Sequence, residues 1–173
     1  MIKFVGIIIL LISSSAIGAV LSYKVKGRVE DMIYIKKLMI MFRGELNYKN
    51  SMLPDAFTAV SAKAKSPYNL FFSSLAKDTE ENFSKNMTDV FTDNVDKYIE
   101  KNTYLKQEDL EKLKEIGDTL GYQDKKMQIS NIDLYIERLS DTIEESREKM
   151  GEQMKVYRTL AMMAGILISI ILW

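Results

Sequence analysis

The chain has 173 residues, with 24 basic and 24 acidic side chains, and contains neither cysteine nor histidine. This balanced charge argues against a nucleic-acid-binding protein, and the missing cysteines exclude disulfides and thiolate metal sites. Without histidine the chain also lacks the commonest metal ligand and the commonest base at neutral pH.

The chain begins with an apolar run, residues 4–23, in which no charged residue occurs. A helix of this length extends about 30 Å, the thickness of the hydrocarbon core of a bilayer. We therefore predict a transmembrane helix within residues 1–23. The alternative is a cleaved secretory signal, but the run is longer than a typical signal and leads into a helical pattern without a turn.

The helical pattern continues beyond the apolar run to about Leu46. Apolar residues occupy almost every face of this helix, which is typical of a helix at the centre of a bundle or of one that offers a face to a partner. Pro54 then predicts the start of a short helix to Lys65. Ser66 and Pro67 predict a further helix start.

The next amphipathic helix, with Ser84 as its predicted cap, carries carboxylates along its polar face. We call this set the acidic row; its members are Asp89, Asp93, Asp96 and Glu100. Such a row is usually a solvated face. A docking surface for a basic partner is the sharper hypothesis.

Residues 107–120 form another amphipathic helix, with leucine and isoleucine at helical spacing. Gly121 follows where a left-handed helix end favours glycine, and Asp124 is placed to cap the next helix. Residues 121–124 are therefore predicted to be a tight turn between two helices.

The last helix has an apolar seam, with residues alternately three and four apart from Ile129 to Ile143. The seam becomes polar at Ser146 and Gln153. We expect packing against the bundle first and a freer stalk afterwards. A dimeric coiled coil is the alternative.

A second apolar run, residues 159–173, ends the helix and carries no charge. Its length of about 22 Å is short for a crossing, but Val156 and Tyr157 extend it if Arg158 snorkels to the headgroups. We predict a transmembrane helix here, against the alternatives of a core helix or a re-entrant helix. Both runs contain small residues four apart, a spacing that lets helices approach closely, either on each other or on other membrane subunits. These residues are Ser14, Gly18 and Ser22, and Ala161, Gly165 and Ser169.

The flanking charges predict the orientation of the chain in the membrane. Basic residues follow the first run and precede the second, and the positive-inside rule places such flanks in the cytoplasm. The predicted organisation is therefore all-α: an antiparallel helical bundle, residues 24–158, faces the cytoplasm between transmembrane helices within residues 1–23 and 159–173.

The sequence offers little support for catalysis. It has no glycine-rich phosphate loop, and a di-iron bundle needs the histidines that this chain lacks. Carboxylate pairs such as Glu144 and Glu148 are more simply solvent-facing charges. We expect no enzymatic activity, no cofactor and no metal.

One local motif carries a resemblance to a known family. Residues 117–124 read Gly-Asp-Thr-Leu-Gly-Tyr-Gln-Asp and are followed by Gln128. This segment resembles stage III sporulation protein AB, and the likeness extends over the whole chain. The Gly-x-x-Leu-Gly-x-x-Asp-x-x-x-Gln spacing is the most specific part; its residues are Gly117, Leu120, Gly121, Asp124 and Gln128. The order Leu53-Pro54 departs from the Thr-Pro-Leu expected of the family.

The resemblance implies a function in sporulation, in the membrane of the mother cell. The family is one subunit of a channel complex between mother cell and forespore, and its cytosolic domain is similar to that of the type II secretion system F platform protein. Its expected partners are the AA-type ATPase of the same complex and the other membrane subunits. The alternative is a membrane-tethered regulatory or scaffold protein unrelated to secretion.

Overall fold

The structure is a computed structural model that describes residues 2–48, 51–81, 86–120 and 124–171. Every regular element in these ranges is a helix, which confirms the predicted all-α class. The helices are α1 (Ile2–Tyr48), α2 (Leu53–Ser61), α3 (Tyr68–Glu81), α4 (Met87–Asn94), a π segment (Val95–Glu100), α5 (Gln107–Leu120) and α6 (Lys125–Ile171).

The helices form two compact units. The first, the terminal unit, combines Met1–Val29 with Glu144–Trp173; the second, the central unit, is Glu30–Ile143. Helices α1 and α6 each contribute to both units. The boundary at Ile143 coincides with the end of the apolar seam, so the change in side-chain pattern marks where α6 leaves the central unit.

The second half of α1 contributes one broad buried face to the core of the central unit. Met32, Leu38, Met39, Phe42 and Leu46 are each at most 1% exposed and share one broad face of the helix, whereas Ile40 on the other side is 48% exposed. This half of α1 therefore buries one broad face in the central unit and leaves part of the opposite side exposed.

Aromatic rings join α1 to the short helices. Phe42 stacks on Phe57 with centroids 4.8 Å apart, and Phe57 continues to Phe72 at 6.1 Å. Phe71 meets Phe91 edge to face at 5.4 Å, which adds α4 to the same cluster. Each such pair contributes about 0.5–1.5 kcal/mol beyond the burial of its area, so the rings fix α2, α3 and α4 around α1.

Two local predictions need correction. Helix α2 ends at Ser61, short of the predicted Lys65. The backbone N–H of Lys65 donates to the hydroxyl of Tyr34 on α1 at 2.8 Å, which is a tertiary bond that a helical continuation would lose. The cap of α4 is Asn86, whose side chain accepts the N–H of Thr88; the predicted cap, Ser84, lies outside the described residues.

The helix that begins at Met87 changes to a π segment after Asn94. The buried Asn94 amide lies 2.8 Å from the carbonyl of Val90 and 2.8 Å from the carboxylate of Asp78 on α3. In a π segment the backbone hydrogen bonds join residues five apart instead of four. Side chains after the segment therefore point in different directions around the helix axis from those that a continuous α-helix would give. The regular amphipathic face predicted over this region therefore stops at Asn94.

Candidate functional site

Gly117 of the motif lies in a close contact between α5 and α4. A Cβ at this position would lie 2.7 Å from the Cβ of Phe91 and 3.2 Å from the Cα of Thr88. Both neighbours are on α4, and the second is main chain, so neither can move aside cheaply. Glycine at this position is therefore required for the distance at which the two helices pack.

Asp124 and Gln128 form capping hydrogen bonds at the start of α6 and at the end of α5. The Asp124 carboxylate accepts the backbone N–H of Lys126 at 2.9 Å and caps the N-terminus of α6, as predicted. The side-chain amide of Gln128, itself buried, donates to the carbonyl of Leu120 at 3.0 Å. This carbonyl belongs to the last turn of α5, which has no helical partner for it.

The motif therefore has a structural role in each of its described residues. Gly117 sets a helix contact, Leu120 is 1% exposed in the core, and the two polar residues cap helices. Gly121 lies outside the described residues. A further role of these residues in binding a partner stays a prediction.

The acidic row is divided by the π segment. Asp89 and Asp93 on α4 are exposed, and so is Glu100 at the end of the π segment. Asp96 is half-buried and forms an ion pair with Lys114 of α5. Three carboxylates thus face solvent while the fourth binds within the unit, and the row is not one continuous strip.

A cleft of about 460 Å³ opens between α1, α5 and α6 of the central unit. Its floor is apolar, with Met32, Ile35, Ile116 and Leu139. Its rim carries charges of both signs: Lys112, Glu115, Arg138 and Asp141. The sequence pattern does not predict this cleft, because it depends on three helices that are distant along the chain.

Two polar residues lie inside the cleft. Asp109 is 6% exposed, and its carboxylate accepts the backbone N–H of Lys106 at 2.9 Å, which caps the start of α5. Burial, and then the negative charge of Asp109, raise the pKa of the Tyr135 phenol above its ordinary value. The only signal in the sequence was an acidic residue directly before the buried Leu110. Among the described residues, no group of three or more carboxylates is placed to hold a metal ion.

In the terminal unit the small residues of α1 and α6 contact each other, which is one of the two arrangements predicted from their spacing. A Cβ at Gly18 would lie 2.8 Å from the Cβ of Ala161, and a Cβ at Gly165 would lie 2.9 Å from the Cβ of Ser14. The helices run antiparallel, because residues later in α1 contact residues earlier in α6. This close approach is the packing that small residues four apart allow.

Hydroxyl groups add polar contacts to this helix pair. Ser14 donates to the carbonyl of Ala161 across the interface. The Ser22 hydroxyl is fully buried, 2.8 Å from the carbonyl oxygen of Gly18 and 3.1 Å from that of Met154 on the facing helix. Serine bonds of this kind hold helices together where water is absent.

The outer faces of the same two helices are apolar and exposed. The largest exposed fractions belong to aliphatic side chains, from Ile8, Ile12 and Ile17 on α1 to Leu167, Ile170 and Ile171 on α6. Both helices have the length and composition of a membrane span. Isoleucine on the outside of a two-helix unit is favourable in lipid and unfavourable in water.

Comparison with known proteins assigns this architecture. The family model described as stage III sporulation protein AB matches residues 3–173. A solved structure of a stage III sporulation protein AB aligns with a TM-score of 0.63 at 19% identity, over 72% of this chain and 96% of that chain. At this identity the structural likeness shows a common fold. Curated protein sequences give no significant match.

Proposed function

Because the chain belongs to the stage III sporulation protein AB family, which supports a role in sporulation, we propose that it is a membrane platform subunit of the channel complex linking mother cell and forespore. In this function it docks the cytosolic AA-type ATPase and contacts other membrane subunits of the complex. The observation that carries the proposal is the division of one chain into an apolar two-helix unit and a separate helical unit.

The terminal unit supports anchoring in the mother-cell membrane. Its two helices are antiparallel, so Lys24 and Lys155 lie towards the same end of the pair. The basic residues beside both apolar runs then lie on one side of the bilayer, and the positive-inside rule places that side in the cytoplasm. The central unit faces the cytoplasm in this topology, where a soluble ATPase would reach it.

The exposed carboxylates Asp89, Asp93 and Glu100 are the proposed contact for the ATPase. They lie on α4 and the π segment, and all three are exposed. Carboxylates at the edge of an interface steer a basic partner and speed association. Asp96 is left out because its charge is already paired with Lys114.

Co-purification from membranes tests the docking. The full chain, expressed with the ATPase, is expected to retain it, and the charge reversal Asp89→Lys, Asp93→Lys, Glu100→Lys is expected to reduce its recovery at least about tenfold. The matched control reverses three exposed carboxylates of α6, Glu137, Glu144 and Glu148. Equal recovery with both variants contradicts the surface; no recovery with the unaltered chain contradicts the docking.

Topology needs its own experiment. Reporters fused at each terminus and inserted at residues 101–106, a loop between the π segment and α5, distinguish cytoplasmic from external positions. We expect the loop reporter to be cytoplasmic and both terminal reporters to be external. A loop reporter that is active only outside the cytoplasm overturns the platform function.

A further inference from the structure

Two basic residues of α6 lie beside the apolar run of α1. A Cβ at Gly18 would lie 3.2 Å from the Cα of Arg158 and 3.2 Å from the carbonyl oxygen of Tyr157. One turn further along α1, the Ser22 hydroxyl is 3.1 Å from the carbonyl oxygen of Met154. These contacts fix the register: Arg158 is level with Gly18, and Lys155 is level with the turn that leads to Ser22.

This register places Arg158 inside the apolar layer. Gly18 precedes Tyr23, the last residue of the uncharged run, by five residues, or about 7.5 Å along the helix axis. Lys155 is about one turn closer to the edge. At the level of Lys155 and Arg158 on α6, the facing residues of α1 still belong to its uncharged run. The apolar run of α6 is therefore the shorter of the two. An ionisable residue inside a membrane is costly and marks a specific interaction.

Among the described residues, no carboxylate forms an ion pair with either cation. Neither apolar run contains an acidic residue, and Glu152, the nearest acid before Arg158 in the sequence, precedes Arg158 by six residues and Lys155 by three. Lys155 and Arg158 are both exposed, and in the part of the chain that the structure describes neither forms an ion pair. We therefore expect a counter-charge from outside the chain.

The direction of the side chains indicates where that counter-charge lies. The Cα–Cβ bonds of a helix tilt towards its N-terminus. For α6 this direction leads out of the apolar layer, towards the end of the pair where Lys24 lies. Residues three apart share a helix face, so the two cations lean together towards the headgroups.

We propose that Lys155 and Arg158 bind the phosphate of an anionic lipid in the leaflet nearest Lys24. The proposal rests on the membrane anchoring in the proposed function and adds a lipid-binding site to it. The planar guanidinium of Arg158 can bind phosphate oxygens with two hydrogen bonds, and the ammonium of Lys155 adds a point charge. The alternative, a carboxylate on another membrane helix, would bury a second charge, whereas a lipid phosphate lies at the interface already.

Electron paramagnetic resonance of spin-labelled lipids tests the site on the full chain in bilayers. We expect wild-type protein to restrict phosphatidylglycerol about 25-fold in preference to phosphatidylcholine, since each of the two basic residues near an anionic surface favours anionic lipid by about fivefold and the two factors multiply. Lys155→Gln with Arg158→Gln should reduce the preference to about twofold or less. The control, Arg147→Gln with Lys149→Gln, removes equal charge outside the apolar layer and should keep most of it.

Each other outcome overturns the site. An unchanged preference in the Lys155 and Arg158 variant contradicts it, and if that variant instead loses another membrane subunit on co-purification, the cations bind protein. Equal loss in both variants indicates a general charge effect. Displacement by inorganic phosphate indicates a soluble anion rather than a lipid. Wild-type protein recovered without lipid contradicts the anchoring itself, which distinguishes failure of the proposed function from failure of this site.

Discussion

The side-chain amide of Gln128 donates a hydrogen bond to the main-chain carbonyl of Leu120, 3.0 Å away. The bond links the first turn of α6 to the final residue of α5, so the two helices on either side of residues 121–123 share a capping interaction. Because Gln128 and Leu120 are both buried, water cannot replace the donor once it is removed.

Replacement of Gln128 by methionine should destabilise the protein by about 1–2 kcal/mol, the cost of a buried carbonyl without a partner. Methionine keeps the length and approximate volume of the side chain, so the change removes mainly the hydrogen bond. Urea unfolding followed by circular dichroism, on protein in detergent, measures the effect. Gln153→Met, at an exposed position of the same helix, is the control and should change stability by less than about 0.5 kcal/mol.

Gly117→Ala should be destabilising although alanine is the better helix former. The new methyl would meet Phe91 and the backbone of α4, and overpacking of this kind costs about 1–3 kcal/mol. Gly151 is the matched control, because a Cβ there meets nothing within 4 Å. Gly151→Ala should stabilise by about 0.5–1 kcal/mol. Thermal unfolding of the two variants should therefore shift in opposite directions, and a shift in the same direction would contradict the helix contact.

The central unit should lose stability in alkaline solution because of Tyr68. Its hydroxyl donates to Asp31 on α1 at 2.9 Å, and burial, followed by the charge of Asp31, raises the pKa of Tyr68 well above its ordinary value. In the unfolded chain the same phenol ionises near pH ~10. Stability from this group is therefore complete below pH ~10 and falls as the pH rises beyond it, by about 1 kcal/mol at pH ~11.

Unfolding free energies at pH 8 to 11 check this dependence. Tyr68→Phe should be less stable than wild type at pH 8 by about 1 kcal/mol, through loss of the hydrogen bond, and should show a shallower alkaline decline. Tyr104→Phe is the control, since it removes an exposed phenol from a residue whose backbone N–H also donates to Asp31. Identical alkaline slopes in wild type and Tyr68→Phe would contradict the assignment.

Cysteines introduced at Gly18 and Ala161 should form a disulfide in the membrane-bound protein. The chain has no native cysteine, so no other thiol can form a disulfide with the introduced pair. A Cβ at Gly18 would lie 2.8 Å from the Cβ of Ala161, and a small separation of the helices gives the ~3.8 Å typical of disulfides. Mass measurement after thiol alkylation should show most molecules oxidised. The control pair is Ala16→Cys with Ala161→Cys. It places one cysteine at an exposed position two residues before Gly18, and it should stay reduced.

Much of the fold was predictable because apolar periodicity reports burial directly. Leu38, Phe42 and Leu46 are buried as their helical spacing predicts, and the seam of α6 is buried at Ile132, Leu139 and Ile143. Each of these assignments depends on residues one or two helical turns apart, whose spacing in the sequence places them on the same face of the helix.

The features that were missed depend on contacts between distant parts of the chain. Helix α2 ends early because Tyr34 takes the N–H of Lys65, and the change to a π segment coincides with the bond from Asn94 to Asp78. The cleft requires three separate helices, and the depth of Arg158 follows only from the register against Gly18. No local pattern contains such information.

The unbroken course of α1 and α6 has a practical consequence for dissecting the protein. Each helix continues without a loop past residues 29 and 144, where one unit gives way to the other. Proteases cut extended loops and spare helical backbone, so limited digestion should nick residues 62–66 or 101–106 before it separates the units. A soluble version of the central unit must therefore be made by genetic truncation, which creates two new helix ends that need caps of their own.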